Sequence, residues 1–490
     1  MKYNCIVYYI LTSVILYVII NYILYYWVVL EMPIYEKLMG NPFVDAGVSG
    51  ICEWLGRNVQ PEQITKDDLE QVVNDVAPII QTKVGWGNLH SIFPNSVLTN
   101  PAFSKRDRVE LLKVEFKEYL NTICDLNEAG NCIGCGRREA NIWLSKTNVP
   151  LTGSGTLRNF FPAFADGAEY CTACTLAIQL SPLVFLATAG KFLTLHSNSW
   201  KALRSWGRLC VTDIRNQQLQ QDITGCFNPG YKNPRNGIFY MTREMLRYQE
   251  MRTDEDISMQ VYCWTNYNQG PELEVFNMPA SVFKFLRNVY QSQFNNAWQE
   301  IIRTGYGKIN WDKVESEDDY KNRTNRVYEN LLQDISILGF FLNRRHRKPR
   351  GNWELLSLYL MEVRTMEQTR LDKIKQVGDL IADCIQESGS NRRLTRLEGA
   401  KSYEACRTVL LYIIRERIKQ GTQDPLFSLD DYVEYLFPES EDFSATPWRE
   451  TRDLLLFRVY ERLHTWLQDH GFVDFDEDET SISDDESDTE

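Results

Sequence analysis

The sequence predicts an α+β fold: an N-terminal α+β domain held by a cysteine staple, then a C-terminal helical bundle. Three observations carry this. Two Cys-x-x-Cys pairs, Cys132-Ile-Gly-Cys135 and Cys171-Thr-Ala-Cys174, stand in the first half. Aromatic, strand-like pieces alternate with polar loops between residues 200 and 300. From about Asn322 apolar residues recur every three or four positions over long stretches, the period of a buried helix face. At 490 residues the chain exceeds what one core usually organises. The expected divisions are an apolar leader over 1–31, the α+β domain over 32–320, the bundle over 321–472 and an acidic disordered tail over 473–490.

Tyr3 to Leu30 contains no charged side chain, which by length and hydropathy makes it a candidate membrane span. It is rich in Tyr, Ile and Asn, residues with AT-rich codons that translated intergenic DNA also yields. Met32 offers a second start, so the leader is read as an over-extended start or, alternatively, as an anchor. Gly40-Asn41-Pro42-Phe43-Val44-Asp45-Ala46-Gly47 has turn-forming residues at both ends and leads into an apolar helical stretch, Val48 to Leu55. Thr65-Lys66-Asp67-Asp68 has the spacing of a capping box before a helix through Val76. Asn, Pro and Gly crowd the segment from Trp86 to Pro101 and mark a loop. Its Asn88, Asn95 and Asn100 are candidates for groove contact, because amide side chains can pair with base edges. Val109, Leu112, Phe116 and Leu120 predict an amphipathic helix within Lys105 to Leu126.

The cysteine pairs follow. Four thiolates in two close pairs suit one tetrahedral Zn²⁺ held by Cys132, Cys135, Cys171 and Cys174. The 35 residues between the pairs exceed the usual knuckle spacing, so the ion is expected to clamp a long excursion to a larger domain. Four ordinary thiols and a disulfide pair are the alternatives. The other cysteines lack motif spacing, which suits a reducing, cytoplasmic compartment. A catalytic zinc would want three protein ligands, usually with a His and a nearby Glu base, and no histidine has that relation to the pairs. Leu151-Thr152-Gly153-Ser154-Gly155 lacks the Gly-Lys-Ser/Thr ending of a phosphate loop. Leu176 to Leu195 carries Pro182 and Gly190 and reads as helix, turn and buried strand. Gly237 to Tyr240 and Val261 to Trp264 read as strands.

In the bundle, one stripe runs Val327, Leu331, Ile335, Leu338 and Leu342. A second starts at Leu356, Leu360 and Val363 and continues through Leu371, Ile374, Ile381 and Ile385. Tyr403, Cys406, Leu410 and Ile413 mark a third, and Thr446-Pro447 opens a fourth carrying Leu454, Phe457 and Leu463. Net charge is −13, but ten carboxylates fall in Asp474–Glu490, leaving the rest at −3. Against that balance the basic clusters stand out: Arg344, Arg345, Arg347, Lys348 and Arg350 in one connection, Arg392, Arg393 and Arg396 in the next, and Arg407, Arg415, Arg417 and Lys419 on the third helix. Such clusters fit phosphate-backbone contacts, and a solvated connection is the alternative.

The Gly40 to Gly47 motif, the paired Cys-x-x-Cys motifs, and Leu151 to Gly155 with Phe160-Phe161-Pro162 between them resemble the CRISPR-associated CXXC-CXXC family over about residues 32–200. That family supplies the large subunit of type I (I-B-like) Cascade effectors. The resemblance implies no catalytic role, contact with a PAM duplex and with the crRNA 5′ end, and a bundle along the displaced strand. Partners implied are crRNA, target DNA, Cascade backbone and guide-capping subunits, and a helicase-nuclease recruited in trans, with no small-molecule substrate. It also favours Met32 as the start. The alternative function is a membrane-anchored zinc-binding adaptor. The sequence agrees with a non-catalytic role, showing no Walker lysine and no carboxylate cluster of the two-metal kind.

Overall fold

The computed structural model describes residues 33–473 apart from 57, 82–88, 98–99, 104, 124–129, 154–166, 224, 253–254, 268–269, 423 and 439–445. The leader with its candidate span, Met32, Asn88, Ser154, Gly155, Phe160-Phe161-Pro162 and the tail from 474 lie outside these. No helix among the described residues is long and apolar enough to cross a membrane.

The chain is mixed helix and sheet and divides into two compact units. The first holds residues up to Pro229 together with Val261–Val275, and the second holds Gly230–Gln260 with everything from Phe276. The two units thus interleave between residues 230 and 275, where the sequence predicts a single boundary at 320/321.

In the first unit, α1 (Pro42–Trp54) starts six residues before the expected Val48. The supposed turn motif is itself a helix start. Asn41 caps it, its Oδ1 accepting from Phe43 N at 3.1 Å and Val44 N at 3.2 Å, and Pro42 occupies the first turn, where a missing N–H costs nothing. Next, α2 (Lys66–Gln81) opens with the predicted box: Thr65 Oγ1 accepts from Asp68 N at 3.1 Å, and Asp68 Oδ2 accepts from Thr65 N at 3.1 Å. Then α3 (Arg108–Asn121), capped by Asp107, buries Leu112, Phe116, Tyr119 and Leu120.

Two short strands, β1 (Ile142–Leu144) and β2 (Ala168–Tyr170), pair antiparallel with Ile142 opposite Tyr170. Helix α4 (Thr172–Leu180), a 3₁₀ turn and strand β3 (Leu186–Thr188) then realise the predicted helix, turn and strand. Strand β4 (Lys191–Ser197) follows, and β5 (Met259–Thr265) and β6 (Glu272–Met278) complete a sheet of order β3-β4-β5-β6. Helix α5 (Trp200–Gln220) runs between β4 and β5 in the chain. The core of this unit is aromatic. Phe43 and Phe185 both meet Trp264 edge-on, centroids 5.1 and 5.3 Å apart, contacts worth about 0.5–1.5 kcal/mol each beyond burial.

In the second unit, Gly237 to Tyr240 is not a strand. It lies inside α6 (Pro234–Met245), because Asn233 caps Arg235 N and Pro234 sets the first turn. Helices α7 (Ala280–Tyr290) and α8 (Asn295–Gly305) follow. The stripe from Val327 to Leu342 breaks: α9 (Arg326–Leu332) is seven residues long, Asp334 turns left-handed at φ 57°, and Ile335 is half exposed. The second stripe is likewise two helices, α10 (Trp353–Glu362) and α11 (Gln368–Ser388), parted at Thr365 with φ 52°. Between them and α9 lies a hairpin of β7 (Leu342–Asn343) and β8 (Lys348–Pro349). Helices α12 (Arg392–Glu398), α13 (Tyr403–Lys419) and α14 (Thr446–Asp469) complete the helical region, and α11 packs along α14.

Candidate metal centre

Two short-range devices build the cysteine site. In the first pair, Gly136 N donates to Cys132 O at 2.7 Å and Gly136 adopts φ 65°, a turn that lets both sulfurs of the pair face one way. Gly134 has no room for a side chain: a Cβ there would lie 2.8 Å from Cys174 Cβ and 2.9 Å from its sulfur. In the second pair, Cys171 caps α4, and its Sγ accepts from Cys174 N at 3.5 Å. The helix turn between Cys171 and Cys174 sets their separation.

Pairing of β1 with β2 then joins the pairs. Ile133 N donates to Glu169 O at 2.9 Å, and Cys171 N donates to Cys132 Sγ at 3.1 Å. Asn141 ties the same junction, taking a hydrogen bond from Thr172 N at 3.0 Å and donating to Thr122 O at 2.8 Å. All four sulfurs lie within 4.8 Å of one another, and Cys135 Sγ stands 4.0 Å from Cys171 Sγ. Three are buried and Cys135 is half-buried. Tetrahedral zinc with bonds of about 2.3 Å places sulfurs roughly 4 Å apart, so the donor set fits.

Without an ion the four thiols share protons unevenly. Cys135 is drawn far below the ordinary thiol range, chiefly by its hydrogen bond with Cys132 and then those with Cys171 and Cys174. Cys171 and Cys174 are pushed well above it, first by their bonds with Cys132 and then with Cys135. Four like charges this close repel, and a divalent cation is what permits all to ionise. Elsewhere burial above all pushes Cys52 and Cys226 up to about 12, and Cys384 and Cys406 up to about 11, the mark of inert interior thiols.

Three further supports lie outside the cysteine pairs. Tyr35, fully buried, donates to Ala173 O at 2.8 Å, inside the second cysteine pair. Arg138 is buried and donates to Pro33 O at 3.0 Å and Ile34 O at 3.3 Å, tying the start of the described chain to the first pair. Gly47 of α1 lies against the backbone of Ala177 of α4, so the two helices touch main chain to main chain. Only the long-range packing reveals what these three residues hold together.

The other candidates are scattered. Asn95 is exposed at φ 62°, while Asn100 is spent on its own turn, Oδ1 accepting from Ala102 N at 2.9 Å. Among the basic residues, Arg347 is largely enclosed and forks onto Glu398 at 2.7 and 2.9 Å, with a further bond to Phe472 O at 2.8 Å. Arg350 donates to Phe340 O and Leu342 O, Arg344 pairs with Asp453 at 2.9 Å, and Arg393 pairs with Glu416 at 2.8 Å. Arg345, Lys348, Arg392 and Arg396 are exposed. The first cluster is therefore in good part a hairpin fastened to α12 and α14.

Residues 125–186 match the family described as CRISPR-associated protein (Cas_CXXC_CXXC), a span that holds both cysteine pairs, β1, β2 and α4. The resemblance read from the sequence is borne out over that span. No curated protein matches the chain.

Proposed function

We propose that the chain is a non-catalytic large subunit of a type I CRISPR effector, with a structural Zn²⁺ held by Cys132, Cys135, Cys171 and Cys174. The observation that carries this is the coincidence of the family match with the converged sulfurs: residues 125–186 supply all four. Bound there, the ion supplies a crosslink and no reaction chemistry, since four thiolates leave no open coordination position. The cysteine residues fix β1, β2 and the start of α4 to one another, and through α4 they fix α1.

In this reading guide pairing reads sequence, while the protein reads a short flanking motif and holds backbone. The first unit contacts the PAM duplex and the crRNA 5′ end, with Asn88 and the exposed Asn95 as groove candidates of its loop. The helical region of the second unit stabilises the R-loop through exposed cations such as Lys348, Arg392 and Arg396. Cleavage belongs to a helicase-nuclease acting in trans. The test is purification of the tagged chain from cells carrying the neighbouring genes and a repeat array. Guide RNA and backbone subunits that co-purify in fixed ratio are expected. A chain that purifies alone, free of RNA, overturns the reading.

A further inference from the structure

We infer that the acidic segment Asp474–Glu490 seats on a basic face formed by the β7–β8 hairpin and α12, and keeps other polyanions off it. The inference concerns the regulation of cations that the proposed function gives to the R-loop. It rests on that reading for its consequence, and on separate observations for the contact itself. The segment holds ten carboxylates and no Lys, Arg or His in seventeen residues. Its root is fixed by the fold. Phe472 N donates to Leu467 O at 2.9 Å, the Phe472 ring packs on Trp466 with centroids 5.7 Å apart, and Val473 is buried. The guanidinium of Arg347 donates both to Phe472 O at 2.8 Å and to Thr395 Oγ1 of α12 at 3.1 Å. One hairpin side chain thus holds the root of the acidic segment beside the middle of α12.

Around that root the surface is positive. Arg345 and Lys348 on the hairpin and Arg392 and Arg396 on α12 are exposed. The carboxylates nearby already have partners: Glu398 takes the fork of Arg347 and the Tyr460 hydroxyl, Glu416 takes Arg393, and Asp453 takes Arg344 and Arg452. Among the described residues no carboxylate forms an ion pair with Lys348, Arg392 or Arg396. Arg396 lies over the Tyr412 ring at 5.5 Å, a contact that leaves its charge uncancelled. Lys348 also lies near the last turns of α14, where burial first and then this lysine hold the pKa of His464 low. Fully extended, seventeen residues reach about 55 Å, several times the roughly 10 Å of α12, so the acidic run is long enough to meet every one of these cations. Tethering sets the strength. A segment held at an effective concentration of about 1 mM, with an untethered affinity of only about 0.1 mM, weakens a competitor about tenfold.

The test uses the full chain. A carbodiimide joins a carboxylate to an amine that already touches it, and Lys348 is the lysine among these four cations. Mass-spectrometric mapping should find Lys348 linked to the 474–490 segment in preference to other exposed lysines such as Lys66 and Lys105. Arg392→Gln with Arg396→Gln should cut that yield about fivefold, and about 0.5 M salt should abolish it. Binding of a fluorescein-labelled oligothymidylate reads the consequence. Changing all ten carboxylates to amides, Asp→Asn and Glu→Gln, should tighten binding about tenfold, and the gain should vanish in a chain that also carries Lys348→Gln, Arg392→Gln and Arg396→Gln. These cations are exposed, so unchanged thermal unfolding guards against misfolding. Cross-links spread evenly over the lysines overturn the inference. So does a gain that persists without the three cations, which would mean that the carboxylates act through their diffuse field. Cross-links between chains in a mixture with ¹⁵N-labelled protein would place the segment on a second copy and overturn it too. If guide RNA fails to co-purify while Lys348 links to the segment, the proposed function falls and the contact stands. If the complex assembles normally while Lys348 stays unlinked, the proposed function stands and the contact falls.

Discussion

Replacing Gly47 by Ala separates helix propensity from packing, because the two predict opposite signs. In the interior of α1, propensity alone favours alanine by about 0.8–1.0 kcal/mol. The structure opposes it. A Cβ on Gly47 would lie 2.5 Å from the carbonyl carbon and 3.1 Å from the Cα of Ala177, where carbon atoms normally stop near 3.5–4.0 Å. Backbone cannot swing aside as a side-chain tip can, and the Ala177 carbonyl oxygen lies nearer still, so α1 and α4 must part by about 1.5 Å along their contact. Overpacking of this kind costs about 1–3 kcal/mol, and a main-chain obstacle places Gly47→Ala at the upper end, a net loss of about 2 kcal/mol after the propensity gain. Because α4 carries Cys171 and Cys174, the shift should also loosen the metal. Urea unfolding followed by tryptophan fluorescence, with a zinc-chelation titration alongside, reads both. Alanine that leaves the midpoint unchanged or raises it refutes the close approach, and with it the packing role of the last glycine in the Gly40 to Gly47 motif.

Arg347→Ala should destabilise the second unit by about 3 kcal/mol in urea, since it leaves Glu398 in a largely enclosed site with the Tyr460 hydroxyl at 2.8 Å but no counter-charge, whereas neighbouring Lys348→Ala should change stability by no more than about 0.5 kcal/mol. Equal effects would show that the hairpin arginines are only solvated. Burial lowers the pKa of His464 below 6.5, outweighing its bond to the Arg347 carbonyl, with Lys348 and His346 adding to the depression. The folded chain thus binds this proton less readily than the unfolded one, so the contribution is present above about 6.5 and is lost as pH falls through the depressed value. Unfolding midpoints between pH 7.5 and 5.5, a window set around the ordinary His value, should fall less steeply for His464→Gln than for the parent. Parallel slopes would remove His464 as the cause.

What the sequence made legible was local. The Thr65–Asp68 box, the cysteine spacing and the helix, turn and strand after Cys174 each depend on residues within a few positions of one another, and each stands as expected. Periodicity misled where it ran past a break. Val327 to Leu342 keeps helical spacing, yet a left-handed Asp334 ends α9, and Leu338 and Leu342 reach the core from other elements. The β-prone run Gly237 to Tyr240 was overruled by Asn233-Pro234 just upstream, a helix start of the same kind as Asn41-Pro42. Basic clusters read as phosphate contacts are in part spent on ion pairs within the fold, because whether an arginine meets Glu398 or solvent is decided by chain segments some fifty or more residues away. Tyr35 and Arg138 were silent for the same reason, and Gly47 showed as the end of a turn-forming motif rather than as a helix contact.

Whether the four cysteines hold a structural zinc is decided by zinc K-edge absorption on the full chain, together with metal content per chain. The geometry predicts one zinc per chain, four sulfur neighbours at about 2.3 Å, and no nitrogen or oxygen in the shell. It also predicts that Cys171→Ser lowers stability and metal content together. A folded chain that carries no metal, or a zinc with water or histidine in its shell, would contradict it.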